Sequence, residues 1–270
     1  MSLLRLDEVT RTVLPPDQPA LTILNGVTLT VEPGDRISIV GRSGSGKSTL
    51  LNLMGLLDLP TSGTLEFDGK PVKSYSGAAR DRVRGARIGF VFQQFNLLAG
   101  RTALENVAMP LHYAEGRQFW RRKALAAEML EQVGLGHRLE SMPDRLSGGE
   151  QQRVAIARSL VRGPSLILAD EPTGALDLDT GQSVMELIDE VATSTGAALV
   201  VITHDPAIAE RSRDHYLLER GVLTRAGEAD ARAVTAGAAD SRAVTAGAAA
   251  VATDARALEA HPSAIAGGAE

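Results

Sequence analysis

Gly41-Arg42-Ser43-Gly44-Ser45-Gly46-Lys47-Ser48 fits the pattern G-x-x-x-x-G-K-[ST], the loop whose backbone N–H groups wrap the phosphates of a nucleotide. Upstream lies an apolar run of strand length, Arg36-Ile37-Ser38-Ile39-Val40, and downstream a helix-like run from Ser48 to Met54. A Gly/Ser-rich flexible loop would need neither flank, whereas the phosphate loop needs both. The glycines let the backbone turn tightly and approach an anion without a Cβ in the way. The helix behind the loop aims its positive end at the same anion. The nucleotide-binding set is therefore Gly41, Arg42, Ser43, Gly44, Ser45, Gly46, Lys47, Ser48 and Thr49. Lys47 reaches for the β- and γ-phosphates and the Ser48 hydroxyl for Mg²⁺.

Away from this loop the 270 residues carry a formal charge of −5, which argues against a nucleic-acid binder relying on global positive charge. Acidic residues follow too soon after Met1 for a signal peptide, and no run has the roughly eighteen apolar residues of a membrane span. No cysteine is present, which excludes thiol chemistry. These features are expected of a soluble, cytosolic chain that, if it serves a membrane, does so from the surface and through a partner.

Alternation of apolar and polar residues over Leu4–Val9 and Val27–Val31 predicts half-buried strands, with turns at Pro15-Pro16-Asp17 and Glu32-Pro33-Gly34-Asp35. Gly63–Gly69 and Ile88–Phe92 predict two more strands. Helical spacing follows over Thr102–Met109, Trp120–Val133 and Gly148–Val161. Two apolar runs, Leu166–Ala169 and Ala197–Ile202, are short enough to be parallel strands buried on both faces, with Asp179–Thr195 as the crossover helix between them. The pattern is an α/β core with a helical insertion at roughly 96–163. Past Arg225 the chain turns to Ala, Gly, Thr and scattered charge, and a ten-residue segment at Ala231–Asp240 is nearly repeated at Ser241–Ala250. Residues 226–270 are expected to be a disordered tail, with docking to a partner as the alternative.

Later residues sort among the phosphate-loop families. Asp170 ends a buried strand, where a second metal anchor belongs. Glu171 follows at the carboxyl edge of the sheet, placed either to polarise an attacking water or simply as an acidic loop residue. Ser147-x-x-Glu150 is a capping box for the helix behind it, yet Gly148 and Gly149 weaken that helix by about 1 kcal/mol each relative to alanine. Bare N–H groups there make a second anion site. Two anion sites far apart in one chain suggest that each nucleotide is shared between two subunits.

With these residues in place the chain resembles the nucleotide-binding subunit of an ATP-binding cassette transporter. The phosphate loop, Phe92-Gln93-Gln94, Leu146–Glu150, Leu168–Glu171, Ala175-Leu176-Asp177 and Thr203-His204-Asp205 occur in family order. The resemblance implies an α/β phosphate-loop ATPase core with a mixed sheet, N-terminal antiparallel strands and an inserted helical subdomain, the cassette spanning 1–225. It implies ATP and Mg²⁺ as cofactors, a homodimer or paired cassette, an integral-membrane permease as partner and the cytoplasmic face of the membrane as location. Within it Glu171 is the general base, while Ser48, Gln93 and Asp170 face the metal. His204 holds the γ-phosphate, although by itself it is as readily a structural histidine. Ser147 and Gly149 contact the γ-phosphate on the opposite subunit, and Asp177 couples the two sites. Ile88–Leu98, Thr102–Val107 and Asp170–Asp177 are similar to the branch of lipoprotein release, macrolide export and cell division.

That branch leaves other uses open: an ATPase that regulates a cell-wall enzyme through its membrane partner, or a soluble cassette acting on DNA or ribosomes. The sequence departs from the family in two places. Val13 stands where an adenine-stacking aromatic is usual, and the first aromatic in the chain is Phe67. Ala99 replaces a usual proline. The basic run Arg80–Arg87 is a solvated helix face or a contact for lipid or partner. Trp120, beside four basic residues, is a partner anchor or packs within the insertion.

Overall fold

The computed structural model describes residues 2–16 and 19–227. Strands β1 (Leu4–Val13) and β2 (Leu21–Val31) form an antiparallel hairpin, joined by β4 (Ser62–Phe67) and β5 (Lys70–Pro71) in the order β2-β1-β4-β5. The second sheet has the order β10-β9-β3-β8-β7-β6. Its strands are β3 (Arg36–Val40), β6 (Ile88–Phe92), β7 (Leu166–Asp170), β8 (Ala198–Ile202), β9 (Asp214–Glu219) and β10 (Val222–Ala226). All its pairings are parallel except β9–β10. The helices are α1 (Lys47–Met54), α2 (Gly77–Arg87), α3 (Ala103–Ala108), α4 (Arg117–Trp120), α5 (Arg122–Gln132), α6 (Gly148–Leu160), α7 (Leu178–Thr195) and α8 (Pro206–Ala209).

The first hairpin is longer than the alternation over Leu4–Val9 and Val27–Val31 predicts, because pairing carries both strands past their alternating stretches. On β1 the buried positions run Leu4, Leu6, then Val9. The extra residue is absorbed by a bulge at which the register shifts between Leu6 and Val9 and Glu8 takes φ 48°. The bulge keeps one face of the strand inward.

In the second sheet β8 is buried at every position and β7 at all but its last, as parallel strands covered on both faces must be. Alternate side chains feed two separate cores. Ile167, Ala169, Leu199 and Val201 pack under α3, α5, α6 and α7. Leu166, Leu168, Val200 and Ile202 pack with α1 and the N-terminal sheet. The segment between β6 and β7 is helical; one expected helix runs on past its expected end and another is broken. Thr102–Met109 passes into a 3-10 turn over Met109–Tyr113, and Trp120–Val133 breaks at Arg121 into α4 and α5. Trp120 does not pack into the insertion, since 79% of it is exposed. Arg80–Arg87 lies on α2, none of whose residues is buried.

Strands β9 and β10 carry too little alternation to be predicted, and Ala226, expected in the tail, closes β10. From residue 228 on, the tail lies outside the described residues. Among the described residues no helix is long and apolar enough to cross a membrane.

Candidate functional site

Four neighbouring parallel strands, β3, β8, β7 and β6, end at the same edge, so the loops behind them stand side by side. Strands in a sheet lie about 4.8 Å apart, which brings residues distant in sequence within reach of one ligand. Val40 leads into the phosphate loop, Ile202 into Thr203-His204, Asp170 into Glu171 and Phe92 into Gln93. Cross-strand register aligns Phe92 with Asp170 and Asp170 with Ile202.

The phosphate loop is shaped for close approach. A Cβ on Gly41 would stand 2.4 Å from the Leu218 carbonyl oxygen and 2.8 Å from Ser45 Oγ, so only glycine fits. Gly46 at the start of α1 has φ 106°, a left-handed conformation that suits glycine. No side chain caps this helix. Its first N–H groups therefore point out of the loop without intrahelical partners. The Gly221 N–H, in the turn between β9 and β10, donates to the Ser45 carbonyl at 3.2 Å and braces the loop from below. Arg42, Ser43, Gly44 and Ser48 are exposed, and Thr49 is half-buried in the first turn of α1. Lys47 arches over the loop and donates to the carbonyls of Gly41 at 2.7 Å and Arg42 at 3.0 Å.

Glu171 takes φ 47°, uncommon for a residue with a side chain. Its N–H donates to the Ile202 carbonyl at 2.9 Å, and its Oε1 lies 2.5 Å from His204 Nδ1. Thr203 Oγ1 stands 3.5 Å from Oε2. Beside it, burial pushes the Asp170 carboxyl above its usual range; the Glu171 charge adds to the rise and the Lys47 cation opposes it. Gln93 reaches across from β6: its Nε2 lies 2.7 Å from where a Cβ on Gly174 would be. Lys47, Asp170, Glu171, His204 and Gln93 thus gather at one edge.

Ser147 and Gly149 gather elsewhere, while Asp177 lines both their cavity and the one beside Glu171 and His204. Ser147 Oγ accepts from the Glu150 N–H at 3.3 Å while Glu150 Oε2 accepts from the Ser147 N–H at 2.8 Å, closing the predicted capping box on α6. Asp177 caps α7 by accepting from the Thr180 N–H at 3.0 Å, which is the first cause of its lowered pKa. A Cβ on Gly149 would meet Thr180 Cγ2 at 2.4 Å, so glycine lets the starts of α6 and α7 touch. Ser147, Gly149, Ala175 and Asp177 line a cavity of about 520 Å³ that opens to solvent.

Three supporting residues have no role in the sequence reading. Gln152 is fully buried and donates from Nε2 to the carbonyls of Phe92 at 3.3 Å and Pro172 at 2.6 Å. It ties the strand end before Gln93 to the loop carrying Glu171. Arg158 donates to the carbonyls of Phe95 at 2.9 Å and Asn96 at 2.7 Å, fixing the segment after Gln93. Thr203 Oγ1 accepts from the Asp205 N–H at 3.0 Å. Gln152 had a visible signal: it falls four and eight residues before Ile156 and Leu160, on a face that is otherwise apolar.

The residues suit a nucleotide with Mg²⁺. Ser45 Oγ is buried with no hydrogen-bond partner inside the loop. Ser48 and Asp170 offer oxygen ligands. Among the described residues no group of three or more His, Asp or Glu side chains could hold a metal by itself. Mg²⁺ is commonly held by one or two protein oxygens together with substrate phosphates, so such a sparse set fits it.

Residues 24–174 match the profile of the ABC transporter family. The chain is 49% identical over 201 residues to the lipoprotein-releasing system ATP-binding protein LolD of Shewanella frigidimarina, covering 74% of this chain and 84% of that one. It is 46% identical to the macrolide export ATP-binding/permease protein MacB of Syntrophobacter fumaroxidans, over 74% of this chain but only 28% of that longer protein. Among solved structures, the dimeric cassette MJ0796 in a post-hydrolysis state with ADP and Pi superposes with a TM-score of 0.75 at 40% identity. The match covers 82% of this chain and 97% of that one. The chain belongs to the ABC transporter family and is one of its ATP-binding cassettes.

Proposed function

We propose that two copies of this cassette, or one copy and a paired cassette, close on MgATP at the cytoplasmic face of a membrane and drive an integral-membrane permease. The work done is export or extraction of a lipophilic or peptide-like molecule. Residues 1–225 act as one cassette, with the helical subdomain at roughly 96–163 inserted in it. The similarity to LolD and MacB, one named for lipoprotein release and the other for macrolide export, supports the cargo class.

The Glu171–His204 contact of 2.5 Å carries the catalytic reading. Glu171 takes a proton from the attacking water on one carboxylate oxygen while His204 Nδ1–H steadies the other. That contact fixes the imidazole plane and leaves Nε2, which must carry its own N–H to donate, on the side of the γ-phosphate. Lys47 leaves the loop carbonyls for the β- and γ-phosphates, and the loop N–H groups orient them. Ser48, Asp170 and Gln93 would hold Mg²⁺, which when bound would neutralise charge on the phosphates. Ser147 and Gly149, lining an open cavity, bind the γ-phosphate of the nucleotide on the facing subunit, and Asp177 between them couples the two sites.

Replacing Glu171 by Gln keeps the shape and removes the base. The variant should bind ATP as the parent does and lose about 10²–10⁴-fold in turnover, roughly 3–5 kcal/mol of barrier. Near-normal steady-state hydrolysis would refute the assignment. Capture of a membrane protein by this variant from detergent-solubilised membranes with MgATP tests the partner, and recovery of only ribosomal or DNA-associated proteins would overturn the transporter role.

A further inference from the structure

Nine aromatic residues occur in the chain, and two of them, Tyr113 and Trp120, stand in solvent at 78% and 79% exposure. Both belong to the helical segment and lie on adjacent elements, the 3-10 turn over Met109–Tyr113 and α4. Trp120 meets Phe119 edge-on at 5.3 Å, and the Arg122 guanidinium lies 4.7 Å over the Phe119 ring. Arg122 also donates to the Phe119 carbonyl at 2.9 Å, so the three side chains form a fixed block. Tyr113 lines one cavity with Arg122 and Lys123, which places it on the same side.

The charge around these rings runs against that of the chain. Segments 80–87 and 113–123 hold eight basic residues and two acidic ones, in a protein of net charge −5. They are distant in sequence but meet in the fold: Arg82 on α2 lies 3.7 Å from Glu115. Arg162, at the end of α6, feels the same Glu115 charge. Arg84, Arg87 and Arg121 are paired with Asp81, Asp68 and Glu128 at 2.9 Å, 2.7 Å and 2.8 Å. Arg80 and Arg117 form no ion pair among the described residues.

Tyr and Trp rings settle at the headgroup level of a bilayer, and cations nearby gain from anionic lipid. An aromatic pair beside a cluster of cations, in a chain of net charge −5, has the charge and ring chemistry of an anionic bilayer surface contact. We propose that α2, residues 113–116 and the α4–α5 turn form a direct contact for anionic phospholipid headgroups, in addition to any protein partner. The inference rests on the membrane-associated reading above. None of these residues lines the cavities beside Glu171 or Ser147.

The test is co-sedimentation of the full chain with protein-free vesicles, of phosphatidylcholine alone or with about one third phosphatidylglycerol. Binding is expected only to the anionic vesicles and should fade as salt screens the charges. Arg117→Ala with Lys123→Ala should weaken it about 25-fold, taking about fivefold per cation near the surface. Trp120→Ser should weaken it with no change of charge, and Tyr113→Ser gives an independent check should that variant fold poorly. ATP turnover in solution should be unchanged in all of them. Equal binding to both vesicles, no binding, or binding indifferent to the substitutions overturns the proposal. So does loss of permease capture with vesicle binding intact, which would assign the face to a protein. A chain that sediments with vesicles but hydrolyses no ATP would leave this contact standing and sink the ATPase reading instead.

Discussion

Glu171 illustrates how a single residue can combine strain and chemistry. A left-handed backbone at a non-glycine residue costs on the order of 1–2 kcal/mol, and here its N–H bond to Ile202 holds it in place. The result aims the carboxylate at His204 rather than along the strand. The opposite case is Val13, half-buried at the end of β1, where the family places a stacking aromatic. Beside it Leu14 is 80% exposed, so an adenine bound there would meet only aliphatic surface. ATP and GTP should be hydrolysed with comparable efficiency, and Val13→Tyr should strengthen ATP binding by about 1–3 kcal/mol, the worth of one base–aromatic stack. Competition titrations with both nucleotides would check this. A strong preference for ATP in the parent would sink the idea. Gln152 is a third case: Gln152→Leu strips the donor from two buried carbonyls and should cost about 1–3 kcal/mol in denaturant unfolding. Turnover should drop as well, because both loops it ties carry site residues.

Two elements, α3 and α6, begin with the same device, and only one of them meets nucleotide in the proposed mechanism. Thr102 Oγ1 accepts from the Glu105 N–H at 3.2 Å on α3, as Ser147 does on α6. Removing either cap should cost about 1 kcal/mol of stability. Thr102→Ala should leave turnover intact, whereas Ser147→Ala should also lose it, which separates capping from ligand binding. If the two variants have matching kinetics, the second anion site is wrongly placed. The caps also give the fold an acid limb. The Glu150 carboxyl is held below its ordinary value, first by the Ser147 N–H it accepts and then by Arg138. Its contribution is complete above the unfolded value near 4.5 and is lost as pH falls through the lower folded one. Glu150→Gln should therefore lower stability at pH 7, where the contribution is complete, and converge on the parent as pH falls below about 4.5, as thermal unfolding across that range would report. The capping boxes could be read in the sequence because they are local, with partners three residues apart. The break at Arg121 and the strands β9 and β10 could not. Their pairing energy comes from neighbours far along the chain, and nothing in their own alternation announces it.

At the scale of the whole molecule, no phosphate-loop residue lines the Ser147 cavity, which agrees with a nucleotide held between two subunits. Glu171→Gln with MgATP should shift the chain from monomer to dimer by light scattering, and nucleotide-free protein should stay monomeric. A dimer indifferent to nucleotide would contradict that closure. The phosphate loop, the strand–Asp170–Glu171 step and the Ser147 capping box were determined by the sequence itself, because each is fixed by backbone conformations and contacts within a few residues. What brought Lys47, Asp170, Glu171, His204 and Gln93 to one edge was the strand order β3-β8-β7-β6, set by tertiary packing of two cores on opposite faces of one sheet. The same packing placed Gln152 between two loops and joined two basic segments around Trp120. Such contacts depend on which elements become neighbours, and that is decided by burial summed over the whole chain rather than by any short stretch of it.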